Sequence, residues 1–181
     1  MTAVIDEETS SVELAPVNDI VLQQLVRAAI TEAMADEVTP PLKPGRSWTP
    51  KRVAWLRDYH HRCRTGLTGL AGEATWAVVV EQKVVGSVRL RNTDKNGVLD
   101  TGIWLTQNSR GRGIGRIAIT AVLRKAALLG ANEVRADTTI GNTGAQGLLR
   151  RLSFDISATQ NGDEVQALLR LDSESSIDQH R

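Results

Sequence analysis

A short run of glycine and arginine residues has the composition of a phosphate-binding loop. It lies between a strand-like run ending at Leu105 and a helix-like run starting near Ile114. A loop that turns directly into a helix presents backbone N–H groups and the positive end of the helix dipole to an anion. Glycines let the anion approach these amides closely, and arginines add positive charge around it. A phosphorylated small molecule is therefore predicted to bind here. The segment consists of Arg110, Gly111, Arg112, Gly113, Ile114, Gly115 and Arg116.

Three motifs resemble those of the GNAT superfamily of N-acetyltransferases. Arg110-x-x-Gly113-x-Gly115 matches its pyrophosphate-binding motif, and Asn142-x-x-Ala145-x-x-Leu148 through Phe154 is similar to its second signature. The run Asp100-Thr101-Gly102-Ile103-Trp104-Leu105 resembles the ribosomal-protein acetyltransferase branch. The resemblance covers Ala74 to Phe154. It implies an α+β fold with a mixed, mainly antiparallel central sheet, flanked by helices, and a β-loop-α site for acyl-CoA.

The chemistry implied by this resemblance is transfer of an acetyl group from acetyl-CoA to an amine by direct attack on the thioester, without a metal. In the superfamily, two central parallel strands splay apart, and the pantetheine of the cofactor lies in the gap. The main chain of one strand then pairs with the pantetheine amides. The resemblance assigns the following residues to the cofactor: Ile103, Trp104, Leu105, Arg110, Gly111, Arg112, Gly113, Ile114, Gly115, Arg116 and Asn142.

A carboxylate is expected to act as the catalytic base. A primary amine is mostly protonated at neutral pH, so it must lose a proton before its nitrogen can attack. Asp100 is the first candidate, because its position corresponds to an acidic residue of similar enzymes, and it would act directly or through a water. An ordinary solvated carboxylate is the alternative interpretation. Glu73, Asp58 and Glu37 are the runners-up.

Three positions of the second signature need comment. Leu149 stands where many family members carry a tyrosine that protonates the departing thiolate, so no general acid is assigned. Ser153 replaces the glycine that usually precedes Phe154, which we interpret as a local backbone change of little consequence. Asn142 matches the family asparagine that contacts the cofactor or helps to position the acceptor; capping of the following helix is its structural alternative.

The acceptor amine is expected to bind near residues 31–72, which correspond to the first two helices of related enzymes and the loop between them. The branch resemblance favours the N-terminal amine of a peptide or protein, and a small amine or an aminoglycoside-type antibiotic is the alternative. Acidic side chains in or near this segment would attract a cationic amine or simply face solvent. They are Glu32, Asp36, Glu37 and Asp58.

Other functional classes fit less well. A nucleic-acid-binding module would need more than 3% aromatic residues and a net charge above +1. A dinucleotide-binding oxidoreductase would place its glycine loop after the first strand of a parallel α/β series. The serious competitor is a GNAT-like protein that binds acyl-CoA as a sensor or interaction partner without efficient turnover.

Length and composition favour one domain. The chain has 181 residues, enough for one substantial core, and its single cysteine, Cys63, excludes an internal disulfide. It contains no cluster with zinc-site spacing and no apolar run of the roughly 20 residues that a membrane span needs. We therefore expect a cytoplasmic protein with a flexible segment at 1–10, a domain at 11–171 and a disordered tail at 172–181. Homodimerisation is expected from the superfamily.

Hydrophobic periodicity predicts the elements before the loop. Residues 11–14 form a first strand, and 19–35 an amphipathic helix capped by Asn18. Thr49-Pro50 begins a second helix. Three strands then form an antiparallel meander, and Gly102 in the third suggests a bulge. The strands are predicted near residues 75–80, 84–91 and 98–105.

The elements after the loop complete the fold. A helix from Ile114 ends near Gly130, and a strand at 133–138 runs parallel to the preceding one if the helix between them is a right-handed crossover. Thr143 and Gln146 form a capping-box pattern for the next helix. A final hairpin joins strands at 154–158 and 165–171 around Asn161-Gly162.

Overall fold

A computed structural model describes residues 11–40, 47–159 and 162–171. The predicted flexible segments, 1–10 and 172–181, and Asn161 in the last turn lie outside the described residues. The strands are β1 (Val12–Pro16), β2 (Glu73–Val80), β3 (Lys83–Asn92), β4 (Val98–Leu105), β5 (Glu133–Thr139), β6 (Asp155–Ala158) and β7 (Glu164–Arg170). The helices are α1 (Asp19–Glu32), α2 (Ala35–Val38), α3 (Pro50–Arg62), α4 (Ile114–Leu128) and α5 (Thr143–Arg151), with short 3-10 helices at Cys63–Thr68 and Gln107–Ser109.

The strands form a seven-stranded sheet in the order β1-β2-β3-β4-β5-β7-β6. All neighbours pair antiparallel except β4 and β5, which are parallel and are connected through α4. This architecture confirms the predicted α+β fold, with its meander and its mixed, mainly antiparallel sheet. Within the described ranges, no helix has the length and apolar character needed to cross a membrane.

Helices cover both faces of the sheet. On one face, α1 and α3 pack Leu25 and Leu56 against β2 and β3. On the other, α4 buries Ile119 and Val122 against the central strands, and α5 joins the same core through Leu149. Burying a large apolar side chain contributes about 1.5–3 kcal/mol, so both helix layers are held mainly by these contacts.

Both predicted helix starts are confirmed. The Asn18 side chain accepts a hydrogen bond from the Val21 N–H at 2.9 Å, and Thr49 accepts one from Arg52 N–H at 3.3 Å. The first helix ends at Glu32, earlier than predicted, because the next residue has an extended backbone. The separate helix α2 follows, and Glu37 accepts a hydrogen bond from the Met34 N–H there at 3.2 Å.

Two local predictions were wrong. The irregularity of the meander lies between Val78 and Val79, whereas Gly102 pairs regularly with Arg89. Gly102 is needed for space, because a Cβ atom there would lie 2.9 Å from the Arg89 Nε. The predicted capping box is also absent, since Asn142 caps α5. Gln146 instead donates to the main-chain carbonyls of 139 and 140, at 3.1 and 2.9 Å.

A buried arginine on α3 was not anticipated. Arg52 is 2% exposed, and its guanidinium donates to Asp36 Oδ1 at 2.6 Å and to the Ser47 carbonyl at 3.2 Å. The indole N–H of Trp48 donates to the Ala33 carbonyl at 3.0 Å. These bonds hold the chain on both sides of residues 41–46 against α3 and the end of α1.

Candidate active site

The parallel strands separate beyond their first four paired residues. Pairing runs from Val98 with Glu133 to Thr101 with Ala136, after which β5 continues with β7 as far as Thr139. The rest of β4 stays paired with β3. The main-chain edge of Ile103 and Trp104 therefore borders a gap, as the resemblance implied.

The glycine-rich loop opens towards solvent directly before α4. Gly111 and Gly113 have φ values of 72° and 78°, and a Cβ atom at either would meet nothing within 4 Å. Gly113 precedes the first turn of α4 and provides no side-chain cap, so the helix presents its N–H groups to this space. Two open glycines and a helix N-terminus fit a pyrophosphate. Arg112 and Arg116 are exposed beside them.

Arg110 points away from this open space. Its guanidinium forms two hydrogen bonds with the Glu37 carboxylate, at 3.0 and 2.8 Å, and donates to the Leu105 carbonyl at 3.1 and 2.9 Å. The hydrogen bonds with Glu37 raise the pKa of Arg110 above its ordinary value, although partial burial opposes the shift. Arg110 therefore connects the loop, the end of β4 and α2. It also engages a carbonyl that sequence reasoning had assigned to the cofactor.

A cavity of about 550 Å³ lies between α3 and the face of the sheet that includes β4. Its floor is the sheet surface of β2, β3 and β4, and its roof is α3 with part of α2. The side chains and main-chain segments that line it include Glu37, Trp55, Tyr59, His60, Arg62, Glu73, Arg89, Arg91, Gly102 and Trp104. The cavity therefore combines aromatic walls with a strongly charged floor.

Asp100 is buried beneath two arginines of this floor. Its side chain is 1% exposed; Arg89 Nη1 donates to Oδ2 at 3.0 Å, and Arg91 Nη2 donates to the same oxygen. Among the described residues, Oδ1 has no hydrogen-bond partner. Burial lowers the pKa of Arg89, but the negative charges of Asp100 and Glu73 raise it above its ordinary value. The two guanidinium groups thus share one carboxylate oxygen.

Glu73 faces the cavity from β2. Tyr59 donates its hydroxyl hydrogen to Glu73 Oε1 at 2.6 Å, and Arg89 Nη1 lies 3.5 Å from the same oxygen. Burial and this hydrogen bond raise the pKa of Tyr59 well above its ordinary value, so the phenol stays protonated. The Trp55 and Tyr59 rings stack with centroids 5.0 Å apart.

His60 is a buried, neutral group next to this network. Its Nδ1 lies 2.9 Å from the Thr75 hydroxyl, and within the described structure its Nε2 has no hydrogen-bond partner. Burial lowers the pKa of His60 to about 4. Burial also raises the pKa of nearby Cys63 to about 11, so its thiol stays protonated at neutral pH. Within the part of the chain described, no three His, Cys, Asp or Glu residues form a group suited to a metal ion.

The second signature supplies a cap and an apolar surface. The Asn142 side chain accepts a hydrogen bond from the Ala145 N–H at 3.0 Å, which is its structural alternative. Leu149 is buried in the core and brings no hydroxyl group. Ser153 adopts a φ of 64°, the left-handed conformation that glycine favours. The replacement of glycine is therefore strained.

The remaining acidic candidates already have partners. Glu32 accepts a hydrogen bond from Asn108 at 3.1 Å, and Asp58 pairs with Arg62 at 3.0 Å. Asp36 pairs with Arg52, and Glu37 with Arg110. Of the carboxylates first considered as bases, Glu73 and Glu37 line the cavity.

Sequence reasoning missed the groups of the floor and roof that surround Asp100. The alternation of residues along β3 puts Arg89 and Arg91 on one face of the strand, and this is the signal that the sequence offers. Tyr59 and His60 gave none, because their partners come from β2, more than ten residues away along the chain.

A family model for the acetyltransferase (GNAT) family matches residues 32–154, more than half of the chain. The chain belongs to the GNAT family. It is an acyl-CoA-dependent N-acetyltransferase, and acetyl-CoA is its co-substrate, as the motifs predicted. No curated protein matches the sequence significantly.

Solved GNAT structures share the fold at low sequence identity. One is RimL, the ribosomal L7/L12 alpha-N-protein acetyltransferase in complex with coenzyme A, with a TM-score of 0.72 and 14% identity over 92% of this chain and 97% of that one. RimJ of Mycobacterium smegmatis, in complex with a CoA-disulfide, has a TM-score of 0.70 and 15% identity over 88% and 81%. PseH of Campylobacter jejuni, in complex with acetyl coenzyme A, has a TM-score of 0.59 and 15% identity over 90% and 100%.

Proposed function

We propose that this GNAT enzyme acetylates an amine that enters the cavity beside β4. The observation that carries the proposal is the position of Gly102, Ile103 and Trp104, which line the cavity while their main-chain edge borders the gap towards β5. The acceptor space and the cofactor space meet along this strand end. An amine and a thioester held in them would therefore be neighbours.

The cofactor-binding assignments of the sequence become part of this proposal. Acetyl-CoA, when bound, supplies the thioester that the acceptor nitrogen attacks. The loop from Gly111 to Arg116 would hold its pyrophosphate through main-chain N–H groups and exposed arginines. Ile103, Trp104 and Leu105 would hold its pantetheine through their main chain. Arg110 would support the loop from behind, and Asn142 would border the same site.

Asp100 is the first candidate for the catalytic base. Its Oδ1 supports this role, because a buried carboxylate oxygen without a hydrogen bond is costly and gains from any N–H or O–H donor that reaches it. Its low exposure favours action through a water molecule. Glu73 is the second candidate, because it faces the cavity and its Oε1 already accepts a hydrogen bond from Tyr59.

The leaving thiolate requires no protein acid in this proposal. Leu149 has no hydroxyl group, and a CoA thiol is a sufficiently good leaving group for solvent to protonate it. We assign Asn142 to the catalytic site as a residue that positions the acceptor, in addition to its role as the cap of α5. Its side-chain amide N–H groups would be the donors that it offers to a ligand.

The acceptor is proposed to be the N-terminal amine of a peptide or protein, or the amine of a small molecule. The likeness to RimL, which is described as an alpha-N-protein acetyltransferase, supports the first. Leu149, at the position where many family members carry a tyrosine, supports a second candidate function, an acyl-CoA-binding protein without efficient turnover. Homodimerisation and a cytoplasmic location stay predictions from the family and the composition.

Calorimetric titration with acetyl-CoA tests the cofactor site. Gly113→Glu is expected to weaken binding at least about 100-fold, because a carboxylate would meet the pyrophosphate at close range. Gly130→Glu is the matched control, since Gly130 also has a positive φ and open space but lies at the other end of α4. Absence of binding to the folded wild-type protein would remove the cofactor assignment.

Turnover assays test the base. Asp100→Asn is expected to lower kcat by about 10²–10⁴ while acetyl-CoA affinity stays unchanged, and Glu73→Gln is its comparison. The larger loss identifies the group that accepts the proton. Acetyl-CoA binding without acetylation of any amine by the wild type would favour the non-catalytic alternative.

A further inference from the structure

The charged floor of the cavity is arranged in rows across three strands. Glu73 on β2 pairs in register with Arg91 on β3, which in turn pairs with Asp100 on β4. The next row contains Arg89 opposite Gly102. Side chains at these positions share the face beneath α3. Two arginines and two carboxylates thus form one layer.

Exposure divides these four groups by charge. The side chains of Asp100 and Glu73 are 1% and 11% exposed, whereas those of Arg89 and Arg91 are 27% and 46% exposed. A guanidinium has five N–H donors, and the hydrogen bonds made by these two arginines in the described structure use only part of them. A ligand on this floor therefore meets positively charged donors, although the layer is formally neutral.

The acidic groups around the cavity offer little to a cation. Glu37, which lines the cavity, is already engaged by Arg110 in an ion pair. Glu73 accepts from Tyr59 on the cavity side. This arrangement opposes the expectation that acidic residues draw the acceptor in by its amine alone.

We infer that the acceptor is a small molecule that carries a carboxylate or phosphate group in addition to its amine, and that Arg91, with Arg89 beside it, binds this anion. The inference rests on the proposed acetyl transfer and names its substrate class. A planar guanidinium matches the two oxygens of a carboxylate or phosphate and binds them with paired hydrogen bonds. Trp104 and Trp55 provide apolar walls for the part of the acceptor between anion and amine.

Two pairs of amines test the substrate class. Tyramine O-phosphate is compared with tyramine, and phenylalanine with phenylalaninamide, so that each pair differs in one anionic group. In at least one pair, the anionic member is expected to have a kcat/KM about 10- to 100-fold higher, the range for hydrogen bonds to charged groups. The pair with the larger ratio identifies phosphate or carboxylate as the preferred anion.

Arg91→Gln is expected to reduce that ratio to about one. Arg91→Lys, which keeps the charge and loses the paired geometry, should give an intermediate ratio. Arg27→Gln, at an exposed position on α1, is the control for loss of one positive charge. Unchanged acetyl-CoA affinity verifies that each variant is folded.

A binding experiment separates this inference from the proposed function. Phenyl phosphate and phenylacetate, which carry no amine, are titrated into wild type and Arg91→Gln at saturating CoA, which occupies the pyrophosphate loop. Acetylation of the neutral amines as fast as the anionic ones, with no effect of Arg91→Gln, would overturn the inference and leave acetyl transfer intact. Binding of these anions that depends on Arg91, without acetylation of any amine, would uphold the anion site and overturn the proposed turnover.

Discussion

The two sides of β4 differ in the groups that they present: one presents mainly main chain, and the other mainly side chains. Towards β5, the proposed cofactor side consists of main chain, glycine and the start of α4. Towards α3, the proposed acceptor side consists of side chains from α2, α3, β2, β3 and β4, joined by hydrogen bonds and ion pairs. Main-chain donors are present whatever the side chains are, whereas the acceptor side changes with almost any substitution. The difference explains why the sequence supports more specific predictions for one side than for the other.

Substitution of Gly86 should have the largest effect, because it disturbs both sides of β4. A Cβ atom there would lie 2.1 Å from the Trp104 carbonyl oxygen, so a larger residue would displace β4 and disturb both sides. Gly86→Ala is expected to cost about 3 kcal/mol of unfolding free energy, in the range of overpacked cores, and to weaken acetyl-CoA binding. Urea denaturation and calorimetry measure the two effects.

Gly147→Ala is the matched control, because a Cβ atom there meets nothing and alanine favours the helix. It should stabilise the protein by up to about 1 kcal/mol. Equal stability of the Gly86→Ala protein and the wild type would contradict the close approach of β3 and β4.

The burial of His60, next to the proposed acceptor cavity, should make the stability of the protein depend on pH. Its pKa is about 4 when folded against 6.5 ordinarily, so the unfolded chain binds the proton more readily. Stability is therefore fully present above pH 6.5 and is lost as the pH falls towards 4, by up to about 3 kcal/mol. Denaturation of the wild type across this pH range should show the loss.

In the His60→Gln variant, the slope of stability against pH between 4 and 6.5 should become smaller. Identical slopes in the wild type and the His60→Gln variant would show that His60 is not buried in its neutral form.

The Glu37–Arg110 pair links the two sides. A double-mutant cycle with Glu37→Gln and Arg110→Gln is expected to give a coupling free energy of about 0.5–1 kcal/mol, as for a partly exposed ion pair. Repeating the cycle at saturating CoA sharpens the comparison. An unchanged coupling free energy means that Arg110 keeps its bond to Glu37 and supports the loop. Loss of the coupling means that the guanidinium of Arg110 binds the phosphates of CoA instead.

Ser153 should give a small effect, and one that stabilises the protein. Because its φ is 64°, Ser153→Gly is expected to raise the free energy of unfolding by about 1 kcal/mol. The same substitution at Ser157, an exposed position on β6, should lower it by about 0.5–1 kcal/mol, because glycine weakens a strand. Changes of the same sign at both positions would contradict this explanation.

The predictability of the chain follows the range of its interactions. Asn18 and Thr49 act within a few residues of themselves, so their types and spacing were sufficient to predict the two helix starts. The glycine-rich loop precedes α4 as predicted, and its binding of a phosphate stays a prediction. The prediction of a bulge at Gly102 was wrong, because a glycine in a strand indicates either a bulge or space for a neighbouring side chain. Here the neighbour is Arg89, which lies on another strand. The contacts of Asp100 likewise depend on strand register, which no local pattern reveals.

The buried Arg52 has a consequence for the segment between Asp36 and Ser47. One guanidinium group holds both flanks of that segment, so its ends stay together whatever its length. Lengthening a chain segment whose ends are already joined costs little, about 0.6 kcal/mol for each doubling. Insertions or exchanges within residues 41–46 should therefore change the free energy of unfolding little, because Asp36 and Ser47 stay bound to the same guanidinium group.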